Sequence, residues 1–291
     1  MNANCEILLQ SKTIDIIWHR RGRKIDACNW SIEQYSLHWR NAGWTVRHHY
    51  GIPSPWRQPA RLTVMHVDLS VVPKRYAAWA ATSSDNQIIW NARINDIRKS
   101  RVSSHLLSRQ DKWDGPVILK TECNCGARPE GALKSPLKKQ TWRDAGNPEN
   151  QDYVVKDSMS EVPCWAWNSP HWVVERYFGA VEAEKSIWNL TILGGELELV
   201  RFTADSQNDY EQSQFDHWNF EQVDDELRKI VDGLSIEYGR LDLLKINGAW
   251  VLLDVNKTPG QYPRQNAPEA RRAFYDHRIE TLAQSALAQL D

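Results

Sequence analysis

Apolar and polar positions alternate along this chain in short runs, some with a period of two and some with a helical period. Over 31–40, Ile32, Tyr35 and Trp39 recur at helical spacing. Ser31 is placed to cap that run with Gln34 at the third helical position, and Gly43 fits its stop. Extended apolar runs follow at 44–49 and 62–69, so residues 1–92 predict a β-α-β lobe. A second lobe, 93–180, is expected to open with a helix over 96–108. A short buried strand at 116–120 follows, then a polar segment from 123 to about 161, then a strand at 172–178. Polar segments of that length are functional lids or disordered loops more often than core.

The last lobe, 181–291, has the plainest pattern. Phe220, Val223, Leu227, Ile230, Val231 and Leu234 predict an amphipathic helix. Two apolar runs, 241–246 and 250–255, meet through Asn247-Gly248, a hairpin signal, and a closing helix is expected from about 268 to 290. The whole order is that of an α+β protein.

Three polar residues interrupt the hairpin strands: Asp242 on the first, Asp254 and Asn256 on the second. Carboxylates in apolar strands are costly to bury unless paired or bound to a cation. Asp254 and Asn256 are two apart and share a face of their strand. Two carboxylates and an amide oxygen suit Mg²⁺, which keeps its other positions for water and phosphate oxygens. The competing reading is three strand-end polar groups facing solvent, where most Asp residues lie. Register decides between the two. A regular two-residue turn on Asn247-Gly248 opposes Asp242 to Leu253 and turns Asp254 away. A three-residue loop, or an equivalent bulge, opposes Asp242 to Asp254, and one or the other is expected.

Composition narrows the function. With 291 residues the chain is long enough for two or three lobes, and a net charge of −1 provides no global attraction for nucleic acid or an anionic membrane. No run approaches the ~20 apolar residues of a spanning helix. The N-terminus lacks the pattern of a signal peptide, and the five cysteines are irregularly spaced. A cytoplasmic protein with reduced thiols is the expectation, with oligomerisation left open. The 15 Trp are read mainly as core, including Trp165, Trp167 and Trp172, for which an acceptor-pocket wall is the alternative. The basic residues Lys134, Lys138, Lys139 and Arg143 read as a solvated loop before they read as a site for an acidic substrate.

The segments Gly239-Arg240-Leu241-Asp242 and Asp254-Val255-Asn256-Lys257-Thr258-Pro259-Gly260 resemble the end of an ATP-grasp domain. They are closest in style to the D-alanine–D-alanine ligases, whose pattern is Arg-x-Asp, a hairpin, then Glu-x-Asn-x-x-Pro-Gly. Asp254 departs from the family's usual Glu. The resemblance implies an ATP-grasp fold behind an N-terminal β-α-β lobe, with ATP and Mg²⁺ as cofactors and Asp242, Asp254 and Asn256 as metal ligands. Upstream it implies that Lys99 and Lys120 contact phosphates. Asn124-Cys125-Gly126-Ala127-Arg128-Pro129-Glu130-Gly131 lies where the family has a Gly-rich flap. Glu175 and the backbone of Tyr177 match the adenine-binding linker, with Glu175 either accepting from the adenine amine or ordering the linker. Glu182 matches the ribose carboxylate, with Glu184 a near competitor.

The implied activity is an ADP-forming ligase, which activates a carboxylate as an acyl phosphate and joins it to an amine or other nucleophile. Its substrates would be small molecules or peptides. Arg240, two residues before Asp242, faces the same side and would stabilise a tetrahedral oxyanion. Gly260 would offer a backbone N–H near the acyl group. A phosphotransferase using the same Mg-ATP site and a non-catalytic nucleotide-binding module are the rivals. Arg240 and Pro259-Gly260 favour the ligase.

Overall fold

A computed structural model of the chain describes residues 12–22, 30–83, 87–137, 153–179, 186–203, 217–260 and 269–290. The first sheet is parallel, in the order β2-β1-β3-β4, with β1 Thr13–Trp18, β2 Thr45–Tyr50, β3 Leu62–His66 and β4 Ile88–Trp90. Helix α1 (Ser31–Asn41) crosses between β1 and β2, and α2 (Lys74–Ser83) between β3 and β4. Parallel strands are buried on both faces, which is why β1 and β3 read as near-continuous apolar runs. Ile14, Ile16, Leu62 and Val64 face α1 and the C-terminal helix, while Ile17 and Met65 face α2.

The helix expected over 96–108 shrinks to α3 (Lys99–Val102), followed by the two-residue β5 (Leu106–Leu107). Local side chains supply the reason. Arg98 grips the Asp96 carboxylate before the helix opens, and Ser103 takes extended backbone that carries the chain into β5. A second sheet, antiparallel, has the order β5-β8-β6-β7, with β6 Val117–Thr121, β7 Tyr153–Lys156 and β8 Trp172–Arg176. Between its strands lie the short helices α4 (Arg128–Ala132) and α5 (Cys164–Trp167). Trp172 is buried in the core of this sheet and Trp167 packs partly buried against it, whereas Trp165, edge-on to Trp172 at 5.4 Å, is exposed, so the core reading does not hold for Trp165.

The third sheet is antiparallel and ordered β11-β10-β9-β12-β13, with β9 Ser186–Leu193, β10 Glu196–Thr203, β11 His217–Glu221, β12 Tyr238–Ile246 and β13 Ala249–Asn256. The expected amphipathic helix starts later than its apolar spacing suggested. Phe220 belongs to β11, and α6 (Asp225–Leu234) begins after Asp224, whose carboxylate accepts the Leu227 N–H at 2.9 Å. The closing helix α7 (Glu269–Ala288) packs Ile279, Leu282, Ala283 and Leu287 into the N-terminal core, where Trp39 Nε1 donates to the Ala283 carbonyl at 3.2 Å. The last helix thus covers the first sheet. No described helix is long and apolar enough to cross a membrane.

Candidate active site

The hairpin carries the decisive register. Its turn is the two-residue Asn247-Gly248, with Ile246 opposite Ala249 and Leu243 opposite Leu252. The register then shifts between Leu243 and Asp242, so that Asp242 faces Asp254 and Arg240 faces Asn256. An extra residue, Leu253, is accommodated as a bulge, which reverses the parity that the short turn would impose. Both Asn247 and Gly248 take positive φ (50° and 85°), the geometry that a tight hairpin turn requires.

Each opposed carboxylate is met by a cation of the protein. Asp242 Oδ1 accepts from Arg240 Nε at 3.0 Å and from Asn189 Nδ2 at 2.8 Å. Asp254 Oδ1 lies 3.6 Å from Lys99 Nζ. Burial lifts the Asp242 carboxyl above its ordinary range, Arg240 pulls it back, and the charge of Asp254 adds to the lift. Two carboxylates held opposite one another at that cost form a donor set that a divalent cation relieves. The Asn256 Oδ1 accepts the Thr258 N–H at 3.0 Å, and an amide oxygen keeps a second lone pair for a further partner.

Lys99, at the start of α3, is 2% exposed, and its ammonium donates to Asn124 Oδ1 at 3.1 Å. Asn124 extends the connection: its Nδ2 donates to the Val255 carbonyl at 2.7 Å and its N–H to Ser70 Oγ at 3.0 Å. The Ser70 N–H donates to the buried Glu130 carboxylate at 2.8 Å, and Thr258 Oγ1 donates to Asp68 at 2.8 Å. Loop 68–70 of the first lobe, the flap segment and the end of β13 are therefore tied together around Asp254. Sequence reasoning missed Asp68, Ser70 and Asn124 in this role. Their only signal was position, just past β3 for the first two and just past β6 for Asn124.

The flap segment is strained. Cys125, Gly126 and Ala127 all hold left-handed backbone, with φ of 52°, 63° and 57°. Cys and Ala pay for that conformation roughly 1–2 kcal/mol each. Strain of this kind persists only where surrounding contacts over-determine it, and it concentrates at functional sites.

Lys120, near the end of β6, has a partner inside the protein. Its ammonium lies 2.7 Å from the Glu175 carboxylate, which His105 Nε2 approaches at 3.2 Å. Glu175 is fully buried. Burial works to raise its pKa, but the hydrogen bond and charge of His105 and the charge of Lys120 outweigh it and pull the carboxyl down to about 2. The Glu175 carboxylate thus faces Lys120 and His105. The Tyr177 N–H donates to the Pro116 carbonyl at 3.0 Å, continuing the β6–β8 pairing. Glu182, its competitor Glu184 and the basic residues Lys138, Lys139 and Arg143 lie outside the described residues, as does the stretch 138–152 of the expected lid. Lys134 is described and exposed.

Arg240 and Gly260 both border a cleft of about 470 Å³, part of it open solvent, between α1, the central strands β9 and β12 of the third sheet, and α7. The Pro259-Gly260 segment is held to the first lobe there. Ser31 N–H donates to the Pro259 carbonyl at 3.0 Å, Ser31 Oγ donates to the Gly260 carbonyl at 2.6 Å, and Trp30 bridges Gly260. The structure thus gathers Arg240, Asp242, Lys99, Asp254 and Asn256 on one end of the third sheet. Lys120 and Glu175 sit on the second sheet, close enough that the Lys120 charge reaches the Asp242 carboxyl.

No protein-family model matches the sequence, and no curated protein does. Among solved structures, the ATP-grasp ligase PsnB complexed with a phosphomimetic variant of its minimal precursor, Mg and ADP is similar at a TM-score of 0.54. The identity is 9%, and the match covers 97% of this chain and 99% of that one. A RiPP-associated ATP-grasp ligase of Chryseobacterium gregarium, in complex with ADP and a leader and core peptide, is similar at a TM-score of 0.50, with 9% identity, 95% of this chain and 97% of that chain. At such identities the likeness speaks to the path of the backbone. That path is the ATP-grasp fold, as the motif around Asp254 implied.

Proposed function

We propose that this protein is an ATP-dependent, ADP-forming ligase that activates a carboxylate and couples it to an amine or similar nucleophile. The observation that carries the reading is the Leu253 bulge, which sets Asp242 opposite Asp254 with Lys99 and Arg240 beside them. In this reading Asp242, Asp254 and Asn256 hold Mg²⁺, which supplies charge neutralisation of the triphosphate. Lys99 and Lys120 receive phosphate oxygens, and Tyr177 and its linker meet the adenine, with Glu182 on the ribose. Division into lobes at 1–92, 93–180 and 181–291 follows from the same reading.

The chemistry has two steps. A substrate carboxylate oxygen attacks the γ-phosphorus of ATP, the bond to the β,γ-bridging oxygen breaks, and ADP leaves. The nucleophile then attacks the acyl carbon, phosphate departs with the C–O bond electrons, and the nucleophile's proton passes to phosphate or solvent. Both steps are governed by positioning and charge. Arg240 and the Gly260 N–H would stabilise the oxyanion of the second step. Arg240, bound to Asp242 through Nε, is held in place before substrate arrives.

The test is product analysis with a panel of carboxylates and amines. ADP and inorganic phosphate should appear together only when both substrates are present. ADP with a stable phosphorylated product would identify a phosphotransferase, and nucleotide binding without turnover on any panel member would oppose catalysis.

A further inference from the structure

Arg278 stands on a face of α7 where its helical neighbours Tyr275, Ile279 and Leu282 are buried. It is itself only 6% exposed and borders the 470 Å³ cleft beside Arg240 and Gly260. Its Nε meets the Glu198 carboxylate on β10, and its Nη2 donates to Thr191 Oγ1 on β9 at 2.9 Å. These two partners fix the plane of the guanidinium and leave part of the fork for another acceptor, since an arginine carries five N–H donors. Arg240 is fixed similarly, through Asp242.

Among the described residues that line the cleft, two are arginines and none is acidic; the others named are neutral, among them Ser31, Tyr35, Asn189 and Thr191. Glu198 and Asp242 hold their arginines without themselves bordering it. A buried ion pair contributes little stability over an apolar pair of similar volume, so packing alone gives weak reason for an arginine here. A guanidinium oriented by a carboxylate and a hydroxyl, at the wall of a cleft, is arranged to receive a planar anion through two N–H groups.

We infer that the cleft between α1, the third sheet and α7 binds the carboxylate group of the second substrate, with Arg278 as the residue that selects for it. The name second substrate rests on the ligase reading above; the anion binding does not. The substrate class is therefore an amine that also bears a free carboxylate, such as an amino acid or a short peptide free at both ends.

The test compares free acids with their carboxamides: the common amino acids and short dipeptides, each in both forms, titrated calorimetrically into the full-length protein with and without Mg-ADP. The wild type should bind one or more free acids about 10–100-fold more tightly than the matching carboxamide, the worth of hydrogen bonds to a charged group. Arg278→Met should bring the two forms to near equality while Mg-ADP binding stays unchanged. Arg278→Lys should retain part of the preference. Thr191→Val, which leaves the ion pair intact, should reduce it partially and provides the reading if the methionine variant does not fold. A purely structural Arg278 would instead lower the melting temperature and weaken both forms equally, which overturns the proposal. It is also overturned if no free acid is preferred in the wild type, or none of the panel binds. Loss of Mg-ADP binding by the wild type, with the acid preference intact, would count against the ligase reading and leave this one standing.

Discussion

In the pair Lys120 and Glu175, stability and the proposed phosphate contact can be tested apart. Lys120 at the end of an apolar strand needs an anion, and the fold supplies Glu175 at 2.7 Å. Removing the lysine leaves a fully buried carboxylate with only His105 beside it. Lys120→Ala should therefore cost about 3–5 kcal/mol, the range for breaking a buried pair from one side. Replacing both, Lys120→Met with Glu175→Leu, should recover most of that stability in urea unfolding and still bind ATP weakly. Full-strength ATP binding by the double variant would remove Lys120 from the phosphate site. The pair also makes an acid-sensitive contribution. Glu175 has a folded pKa of about 2, below its ordinary 4.5. Its contribution is present above the unfolded value and is lost as pH falls from about 4.5 toward 2. Asp254→Asn removes one of the opposed charges, so it should weaken Mg²⁺-dependent ATP binding by more than tenfold, roughly the worth of one charge-assisted contact. Unchanged affinity across a magnesium titration would take Asp254 out of the metal set.

Among the elements, the hairpin depends most on detail. Its turn follows the Asn-Gly rule, and the bulge at Leu253 sets the face that Asp254 presents. Deleting Leu253 should remove the bulge and keep Asp242 opposite Asp254, because the residues from Ala249 to Leu252 hold their partners. Mg-ATP binding should then survive within about tenfold, one decade of affinity being ~1.4 kcal/mol. Its complete loss in a folded variant would show that the bulge does more than set parity. Helix α6 offers a simpler case. Asp224 caps it and also accepts from Trp250 Nε1 on β13 at 2.8 Å. Asp224→Ala should lower stability by about 1–2 kcal/mol, read from the urea midpoint. A change within error would mean that water replaces both bonds. Sequence patterning found this helix but opened it too early, because Phe220 and Val223 continue the apolar spacing while Asp224 sets the start. It missed the β9–β10 hairpin, although Gly194-Gly195 between apolar runs was a usable signal; both take positive φ there.

At the scale of the molecule, the first lobe carries histidines held neutral. Burial pushes His66 down to about 3 and, with neighbouring arginines, pushes His19 and His48 to about 4. A base with a lowered folded pKa binds its proton in the unfolded chain first. Stability is therefore full above about 6.5 and falls as pH drops toward 4. The melting temperature should decline over that window, and His66→Phe should flatten the decline. An unchanged profile in the variant would place the acid sensitivity elsewhere.

What the sequence determined by itself is whatever local chemistry dictates. The period of apolar residues marked the long helices and the hairpin strands, and Asn247-Gly248 marked the turn. The motif from Asp254 to Gly260 marked the fold, because its residues lie close together along the chain. Tertiary structure decided the rest, since the deciding contacts join residues far apart in the chain. Lys120 meets Glu175 across two strands, Asn124 joins Lys99 to the Val255 carbonyl, and Thr258 reaches Asp68 of the first lobe. Arg278 enters the cleft only because α7 folds back over the first sheet. The parity of the strand that carries Asp254 belongs to the same class. The turn residues were legible, but a one-residue bulge is set by side-chain packing across the sheet, where carrying Asp254 to the other face is a cost that only the assembled neighbours can offset.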